Sequence, residues 1–289
     1  VQFTITKANA GQYKDKVTPG MQAMLDKYPE FKMNVYQTRR TACLPQEAYD
    51  VIKSMATKLE LQGFAYVGGF SYTPFPIPKN GLEAIWNHVP RYLGGGVVRQ
   101  FNAFPVRSNG DFYKIATEER RVFFRNLDQS PDNLLGVFMS SFLAPATLEG
   151  TVFLVHEPID QVKQTRSAWI YNAGQRRVRR APDLSYDNVN DGTEGLRTTD
   201  QFDAFNGAPD RYDWKLVGKK EIYVPYNSYK LSDKKLKYKE DIIRKFTPNA
   251  DLMRYELHRV WEIEANLKPG SRHIYAKRVF YLDEDSWTV

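Results

Sequence analysis

The sequence predicts an α+β protein that is mainly β, with a curved antiparallel sheet, helices on its concave face and a helical N-terminal segment. Apolar and polar residues alternate with a period of two along most of the chain after Gly94. Short turn sequences join these alternating segments, which favours antiparallel pairing. Aromatic residues, which pack well on a pleated surface, are abundant, with 18 Tyr, 17 Phe and 5 Trp among 289 residues. A strongly curved sheet with helices on one face would bury such strands.

Residues 1–95 are predicted to form a helical and loop segment that packs on this sheet. Thr18 offers a capping hydroxyl immediately before Pro19, and proline is favoured at the first helical position. Asn80 offers a similar cap for a helix over residues 81–88. Four helices are predicted, over residues 6–13, 19–28, 45–59 and 81–88. A Gly-, Pro- and aromatic-rich loop over residues 63–79 precedes the last of them.

Residues 96–289 are predicted to form the sheet. Asn109-Gly110 marks one hairpin, and a turn over residues 268–271 marks another between two of the longest strands. One inserted helix is predicted over residues 131–143, because its apolar residues recur at helical spacing around much of the circumference. A long loop over residues 181–213 is rich in Asp, Asn, Gly and Thr, and such loops are uncommon unless they have a function.

The two ends of the chain suggest a piece of a longer protein. The chain begins with Val1 and carries no signal peptide, so we expect a processed or trimmed chain. It ends at Val289, just where a further strand reads as beginning, so we expect C-terminal truncation of the sheet.

Composition narrows the classes of function. The net charge of +7 and a pI near 9.2 suit nucleic acid, an anionic membrane surface or an acidic partner, but no nucleic-acid-reading motif accompanies the charge. No apolar run approaches the roughly 20 residues that span a bilayer. The single cysteine, Cys43, excludes an internal disulfide and a cysteine-based zinc site.

No catalytic residue, metal ligand or cofactor motif is predicted. The four histidines lie outside the HExxH and nucleophile-elbow patterns, although His258 and His273 fall on paired strands and could approach each other. Residues 187–194 faintly resemble a calcium loop, but Thr198 or Thr199 stands where that loop needs glutamate. Carboxylates in such a stretch more often bond their own backbone. We therefore expect a protein that is not an enzyme.

Aromatic and aliphatic side chains on the strands and on the predicted inserted helix are expected to line an interior space. In residues 255–264 the alternation is strict, which places Leu257 and Trp261 on one face. The predicted lining residues are Leu135, Phe138, Phe142, Trp169, Tyr171, Leu257 and Trp261.

A dense basic run, QRRVRR over residues 175–180, is predicted to lie at a sheet edge or at the mouth of a barrel, because both faces of the strand are largely cationic. Charge of this kind protects an edge strand from aggregation. It also suits contact with anionic head groups or an acidic partner. Both interpretations stay open for Arg176, Arg177, Arg179 and Arg180.

Several blocks carry a family resemblance. AWIYNAGQRRVRR, residues 168–180, resembles a hairpin of the bacterial outer-membrane lipoprotein-sorting proteins of the LolA/LolB-like group, with Ala173 where that hairpin often has proline. Three longer blocks resemble a proteobacterial periplasmic family of that group, the domain of unknown function 1329. They are PFPIPKNGLEAIWNH (residues 74–88), LRTTDQFDAFNGAPDRYDWK (196–215) and YELHRVW (255–261).

The resemblance implies a fold and a setting. The fold is an antiparallel half-barrel closed by helices, with an apolar cavity for acyl chains in the better-known relatives. The resemblance further implies a monomeric protein exported with a removed signal peptide to the Gram-negative periplasm, soluble or peripherally associated with the outer membrane. An outer-membrane protein and a resistance-nodulation-type transporter are the implied partners.

Three functions are compatible with these observations. The first is a periplasmic carrier for a lipid or other hydrophobic molecule. The second is a non-carrying adaptor that docks on an envelope membrane protein through the basic run and the long loop. The third is a lipid-acting hydrolase, which would need acid, base and nucleophile to converge at one cavity.

Overall fold

A computed structural model describes residues 1–123, 133–181, 186–189 and 193–289 of the protein. Its α-helices are α1 (Pro19–Lys27), α2 (Gln46–Met55) and α3 (Gly81–His88). The strands of the N-terminal part are β1 (Phe3–Ile5), β2 (Met33–Val35), β3 (Glu60–Gln62) and β4 (Ala65–Val67). The later strands are β5 (Gly96–Ala103), β6 (Ile115–Phe123), β7 (Leu134–Ala144), β8 (Val152–Pro158), β9 (Ser167–Asn172), β10 (Arg177–Ala181), β11 (Tyr212–Pro225), β12 (Tyr255–Leu267) and β13 (Lys277–Asp283).

Two open, curved sheets dominate the molecule, which confirms the predicted fold class. The first has six strands in the order β10-β9-β8-β7-β6-β5, and every neighbouring pair is antiparallel. Its strands follow the chain order, so short connections suffice to join them. The predicted Asn-Gly turn lies between β5 and β6, where Val106 bridges to Phe112.

The second sheet has five strands, with β12 at its centre between β11 and β13. The predicted hairpin between β12 and β13 is confirmed. β11 continues as one strand through a bulge between Leu216 and Gly218, where its register with β12 shifts. Gly218 adopts φ of 141° there, a conformation that favours glycine.

The N-terminal segment is less helical than the sequence indicates. β1 and β2 pair with each other, and Val35 of β2 bridges to Tyr255 of β12. These short strands therefore extend the five-stranded sheet, and β3 and β4 form a separate hairpin. Three-residue strands were missed because so few residues cannot display a period of two.

Two α-helices, α1 and α3, begin where capping residues predict, and α2 begins directly after Pro45. The predicted helix over residues 6–13 is wrong, because only a 3₁₀ turn, Ala10–Tyr13, forms there. Thr18 Oγ1 accepts a hydrogen bond from Met21 N at 3.2 Å at the start of α1. Asn80 Oδ1 accepts one from Glu83 N at 2.9 Å, and the observed bounds of α3 match the prediction. α3 packs on β11 and β12 so closely that a Cβ atom at Gly81 would lie 2.8 Å from the Lys215 backbone.

The predicted inserted helix over residues 131–143 is wrong. Residues 134–144 form β7, a strand inside the six-stranded sheet that pairs with β6 and β8. Residues 131 and 132 lie outside the described part. A run that is apolar on both faces reads equally well as a buried helix or a central strand, and here pairing with two neighbours decides for the strand.

The apolar core consists of three clusters. Two lie on the five-stranded sheet, one around Ile5, Leu25 and Met33 and the other around Ile85, Ile263 and Leu282. The third joins Trp86 of α3 and the β3–β4 hairpin to the six-stranded sheet. Within the described residues, no helix has the length and apolar character that crossing a bilayer requires.

Candidate ligand cavity

A cavity of about 350 Å³ lies against one face of the six-stranded sheet. Strands β5 to β8 form its floor, and residues 193–202 together with the β5–β6 connection form the opposite wall. The strand residues that line it are Phe101, Ala103, Ile115, Thr117, Glu119, Phe138, Ser140, Phe142, Phe153, Val155 and Glu157. The remaining lining residues are Phe104, Pro105, Arg166, Thr193, Leu196, Arg197, Thr199 and Phe202.

The pleat of the strands selects which side chains face the cavity. Successive side chains on a strand point to opposite faces, so every second residue of each strand contributes. On β7 these are Phe138, Ser140 and Phe142, whereas Met139 and Ser141 lie on the other face. Phe153 pairs with Ser140 across β7 and β8, which carries the same face from strand to strand.

The wall opposite the sheet is held by a short 3₁₀ turn, Thr199–Gln201. Thr198 and Gln201 form a capping box at its start, and Thr199 N donates to Asn188 O at 2.9 Å. Asp200 anchors the turn to the five-stranded sheet, because Arg278 Nη1 donates to its Oδ2 at 2.6 Å. The segment that covers the cavity is therefore fixed to the other sheet.

An aromatic pair forms part of the cavity lining. The Phe202 ring stacks on the Phe138 ring with centroids 5.5 Å apart and planes within 5°. At another position in the lining, the Phe142 and Phe153 rings meet edge to face at 5.8 Å. Aromatic contacts thus shape an apolar interior that is not filled by side chains.

Two buried carboxylates on the cavity floor have cationic partners. Glu119 is 2% exposed and accepts hydrogen bonds from Arg99 Nη2 at 3.2 and 3.3 Å. Glu157 accepts one from Asn206 Nδ2 at 2.7 Å, and its Oε1 lies 3.7 Å from Arg166 Nη2. Burial lowers the pKa of Arg166, although Glu157 and Asp200 partly offset that effect. These pairs neutralise the buried acids of the floor.

Two arginines flank the Phe202 ring. The Arg121 guanidinium lies 4.7 Å from the ring centroid and that of Arg197 lies 5.7 Å from it. Arg121 is buried, and its Nε and Nη2 atoms have no hydrogen-bond partner in the part of the chain that the structure describes. Arg197 lines the cavity and is exposed at its mouth.

The seven residues predicted to line the interior lie in different parts of the structure. Phe138 and Phe142 line the cavity. Leu135 is buried nearby but packs in the third core cluster, against the N-terminal region. The role of the seven residues in ligand binding remains a prediction.

Four of those residues lie away from the cavity. Trp169 and Tyr171 follow the pleat to the outer face of the six-stranded sheet, since their neighbours Ala168 and Ile170 share the cavity face. Trp169 packs there against His156, with ring centroids 5.0 Å apart. Trp261 and Leu257 lie on β12, in the other sheet, and pack in its two core clusters.

Most of the cavity was missed from the sequence. Phe101, Phe153 and Phe202 gave a usable signal, since each lies on a predicted strand or in the loop thought to be functional. The face of each strand could not be assigned, however, because the pairing of β7 with β6 and with β8 contains bulges. The wrong helix over residues 131–143 also hid the alternation of β7.

The basic run lies where the sequence predicts, at a sheet edge. β10 is the terminal strand of the six-stranded sheet and pairs with β9. Arg177, Arg179 and Arg180 are exposed along it, and Arg176 is exposed in the preceding turn. Val178 is 64% exposed between them.

A second polar cluster lies on the five-stranded sheet. His258 Nδ1 lies 3.2 Å from Asp283 Oδ1, and Nε2 lies 3.4 Å from Glu256 Oε2. Asp285 is also near, so that one ligand-type atom from each of His258, Asp283 and Asp285 falls within 4.8 Å of the others. Arg40 Nε already donates to Asp285 at 2.8 Å, so this carboxylate is paired with a cation.

Two further sequence predictions concern the histidine pair and the calcium-loop-like stretch. His273 Nε2 lies 3.0 Å from Asp200 Oδ2, while His258 pairs with Glu256 and Asp283, so the two histidines belong to separate clusters. The calcium-loop-like stretch falls partly outside the described residues. Within it, Asp187 Oδ2 accepts a hydrogen bond from Ile274 N at 2.9 Å, which is a structural contact.

Comparison with known families decides the classification. A family model described as a protein of unknown function, DUF1329, matches residues 4–289. The chain belongs to this family. The resemblance found in its sequence is thereby confirmed for the DUF1329 family.

A curated relative of the chain is an uncharacterized protein, PA3922, of Pseudomonas aeruginosa. It is 53% identical to the chain over 292 residues, which cover 99% of the chain. The chain spans 64% of the length of this relative.

Solved structures with a related arrangement share little sequence with this DUF1329 chain. A DUF1329 protein from Desulfovibrio piger is 14% identical, with a TM-score of 0.40 over 66% of this chain and 61% of the other. A putative outer-membrane lipoprotein-sorting protein domain from Vibrio parahaemolyticus is 14% identical, with a TM-score of 0.44 over 72% and 68%. A LolA superfamily protein from Nitrosomonas europaea is 10% identical, with a TM-score of 0.34 over 73% and 69%.

Proposed function

We propose that this DUF1329 chain binds and carries a lipid or another hydrophobic molecule. The observation that supports this function is the cavity of about 350 Å³ against the six-stranded sheet. Its volume falls within the range of about 300–1,000 Å³ typical of small-ligand sites. A non-carrying protein would be expected to fill this space with its own side chains.

The chemistry of the lining supports an apolar guest. Aromatic rings and aliphatic side chains form most of the wall, and the buried carboxylates Glu119 and Glu157 are paired with arginines. Each methylene that moves from water into such a site contributes about 0.8 kcal/mol.

The proposal includes a cellular setting, as the family resemblance implies. The carrier would work in the Gram-negative periplasm, soluble or peripherally associated with the outer membrane, as a monomer. It would exchange its cargo with an outer-membrane protein and a resistance-nodulation-type transporter. Co-purification of either protein with the full-length carrier would test this part separately.

The cavity can be filled without altering the rest of the sheet. Ser140 faces the cavity and Ser141 faces the opposite side of the same strand. We expect Ser140→Phe to lower the uptake of a fluorescent fatty acid at least about tenfold, since a new ring would occupy the site. Ser141→Phe, the matched control, should bind like the unaltered protein.

Native mass spectrometry of gently purified protein gives the complementary measurement. A bound lipid should be present in the unaltered protein and in Ser141→Phe but be lost from Ser140→Phe. Equal uptake by both variants, or no uptake across several lipid classes by the unaltered protein, would contradict the proposal.

A docking function is the second candidate, supported by the exposed arginines of β10. Exposed Val178 and Tyr171, together with this edge strand, form a basic surface with apolar side chains that suits an acidic partner or anionic head groups. Neutralising Arg176, Arg177, Arg179 and Arg180 to Gln should abolish pull-down of an envelope membrane protein. Neutralising four exposed lysines, Lys234, Lys235, Lys237 and Lys239, is the charge-matched control.

A further inference from the structure

Among the residues that the structure describes, positive charge exceeds negative charge around Phe202, which lines the cavity. Two guanidinium groups lie near this one ring, those of Arg121 at 4.7 Å and Arg197 at 5.7 Å. Arg121 is also 5.5 Å from the centroid of Phe138, the ring stacked on Phe202. Two guanidinium groups beside one ring raise the local positive potential, which favours an anion nearby.

The acidic side chains of this region already have hydrogen-bond partners. Glu119 accepts two hydrogen bonds from Arg99, and its Oε1 lies 3.9 Å from Arg121 Nε, beyond hydrogen-bond range. Glu157 is bound to Asn206 and lies near Arg166, and Asp200 is bound to Arg278. One carboxylate, Glu119, therefore serves both Arg99 and Arg121.

Arg197 has no acidic partner among the residues that the structure describes. Burial is the one influence on its pKa there, and its guanidinium contacts the Phe202 ring. Partial burial lowers the pKa of Arg197, and no charge of opposite sign offsets this effect. An anion placed at the mouth would therefore interact with Arg197 without displacing an ion pair formed by the described residues.

We propose, building on the carrier function above, that the guest is a single-chain amphiphile whose anionic head lies against Arg197 at the cavity mouth. Arg121, behind the Phe138–Phe202 pair, adds positive potential from a buried position. The chain of the guest lies on the apolar floor, where Ile115 and Val155 are each 2% exposed.

The size and polarity of the site favour one chain. The cavity of about 350 Å³ is near the lower end of the range for ligand sites, which suits a single acyl chain better than several. Arg197, an exposed residue of the lining, is cationic, and the described lining is mainly apolar. A carboxylate or a phosphate monoester head has the charge that this arrangement recognises.

Ligands that differ only in their heads can test this assignment. Dodecanoate, dodecyl phosphate, dodecanol and dodecylamine share one chain, so calorimetric affinities below their aggregation thresholds isolate the contribution of the head. We expect the two anions to bind roughly three- to tenfold more tightly than the alcohol, and the amine to bind most weakly. The ratio of the two anions distinguishes a carboxylate from a phosphate cargo.

Variants of Arg197 assign the effect to one side chain. Arg197→Gln should remove the advantage of the anions over dodecanol while leaving dodecanol binding unchanged. Arg197→Glu should reverse the order and favour dodecylamine. Arg39→Gln is the matched control, because Arg39 is exposed beside the five-stranded sheet and contributes no lining atom to the cavity.

The outcomes separate this inference from the carrier function. Suppose that dodecanol binds as tightly as dodecanoate and that Arg197→Gln changes neither affinity. The cavity then binds apolar chains, and the proposal of an anionic head is wrong. If none of the four ligands binds although the protein takes up other lipids, the single-chain guest is wrong. If no lipid class is taken up either, the carrier function itself fails. An equal loss of dodecanoate binding in Arg39→Gln would also overturn the assignment, since it would reflect net charge alone.

Discussion

His258 is the side chain whose chemistry departs most from its surroundings. It is buried, and both of its ring nitrogens face carboxylate oxygens, those of Asp283 and Glu256. The ring also stacks on Tyr226 with centroids 4.0 Å apart. A neutral imidazole can donate only one hydrogen bond, whereas the charged form donates two, so this geometry favours the charged form.

The charges of this cluster predict a dependence of stability on pH. Burial lowers the pKa of His258, but hydrogen bonds and charges from Asp283 and Glu256 outweigh burial and raise the pKa above its ordinary value. The stabilisation from His258 is therefore complete below pH about 6.5 and is lost as pH rises through the pKa in the folded protein. For Asp283, burial raises the pKa, but hydrogen bonds from His258 and Ser286 outweigh burial and hold the pKa below its ordinary value. Its contribution is lost in acid.

Replacing His258 should reveal this dependence directly. We expect His258→Gln to reduce the free energy of unfolding by about 2 kcal/mol at pH 6, with a smaller loss at pH 9. Urea unfolding at both pH values measures the difference. His156→Gln, on the outer face of the other sheet, is the control. A loss for His258→Gln that is the same at pH 6 and pH 9 would contradict the charged state of the ring.

At the scale of residues, the sequence identified types of side chain better than their positions. Phe138 and Phe142 were predicted to face the interior, and they do line the cavity. Trp169 and Tyr171 are equally aromatic, yet they lie on the outer face because a shift of one residue exchanges the two faces of a strand. Arg197 gave no signal, because its significance depends on which carboxylates the fold places near it.

Among the elements, β7 is where local pattern and tertiary structure disagree. Its apolar residues occur on both faces because both faces are covered at least in part, and such a run has no period of two. The capped helices and the hairpins with strong turn signals were predicted well, since their signals are local. β1 and β2 were not, because three-residue strands show little pattern and the bridge from Val35 of β2 to Tyr255 of β12 joins residues more than two hundred positions apart.

Neighbouring substitutions on β7 test that it is a strand. Phe142 is 9% exposed and Leu143 is 44% exposed. We expect Phe142→Ala to cost about 2–3 kcal/mol of stability, somewhat less than a fully packed phenylalanine because one side of the ring faces the cavity. Leu143→Ala should cost below about 1 kcal/mol. Chemical denaturation provides both values, and equal losses would argue against the alternation of this strand.

For the whole molecule, the two sheets differ in how their faces are packed. The five-stranded sheet carries two apolar clusters formed with α1, α3 and the loops around them. The six-stranded sheet borders the cavity on the same face that a core would otherwise fill. An unfilled interior loses dispersion contacts along its lining, so this sheet should open more readily.

Hydrogen exchange can compare the two sheets in one experiment. In the free protein we expect backbone amides of β6 and β7 to exchange faster than those of β12, which lies at the centre of the other sheet. Saturating dodecanoate should slow β6 and β7, since a ligand at about one hundred times its Kd stabilises the state that binds it by about 2.7 kcal/mol. Amides of β12 exchange largely through openings of their own sheet, so they should change less.

The Ser140→Phe variant is the matching control for that experiment. A ring in the cavity should slow β6 and β7 without ligand and remove the response to dodecanoate, because it supplies the contacts that the guest would make. Uniform slowing of all strands by dodecanoate would mean that the two sheets open together. In that case the cavity would be stabilised by the whole fold, and the separate role of the six-stranded sheet as the ligand-responsive part would be wrong.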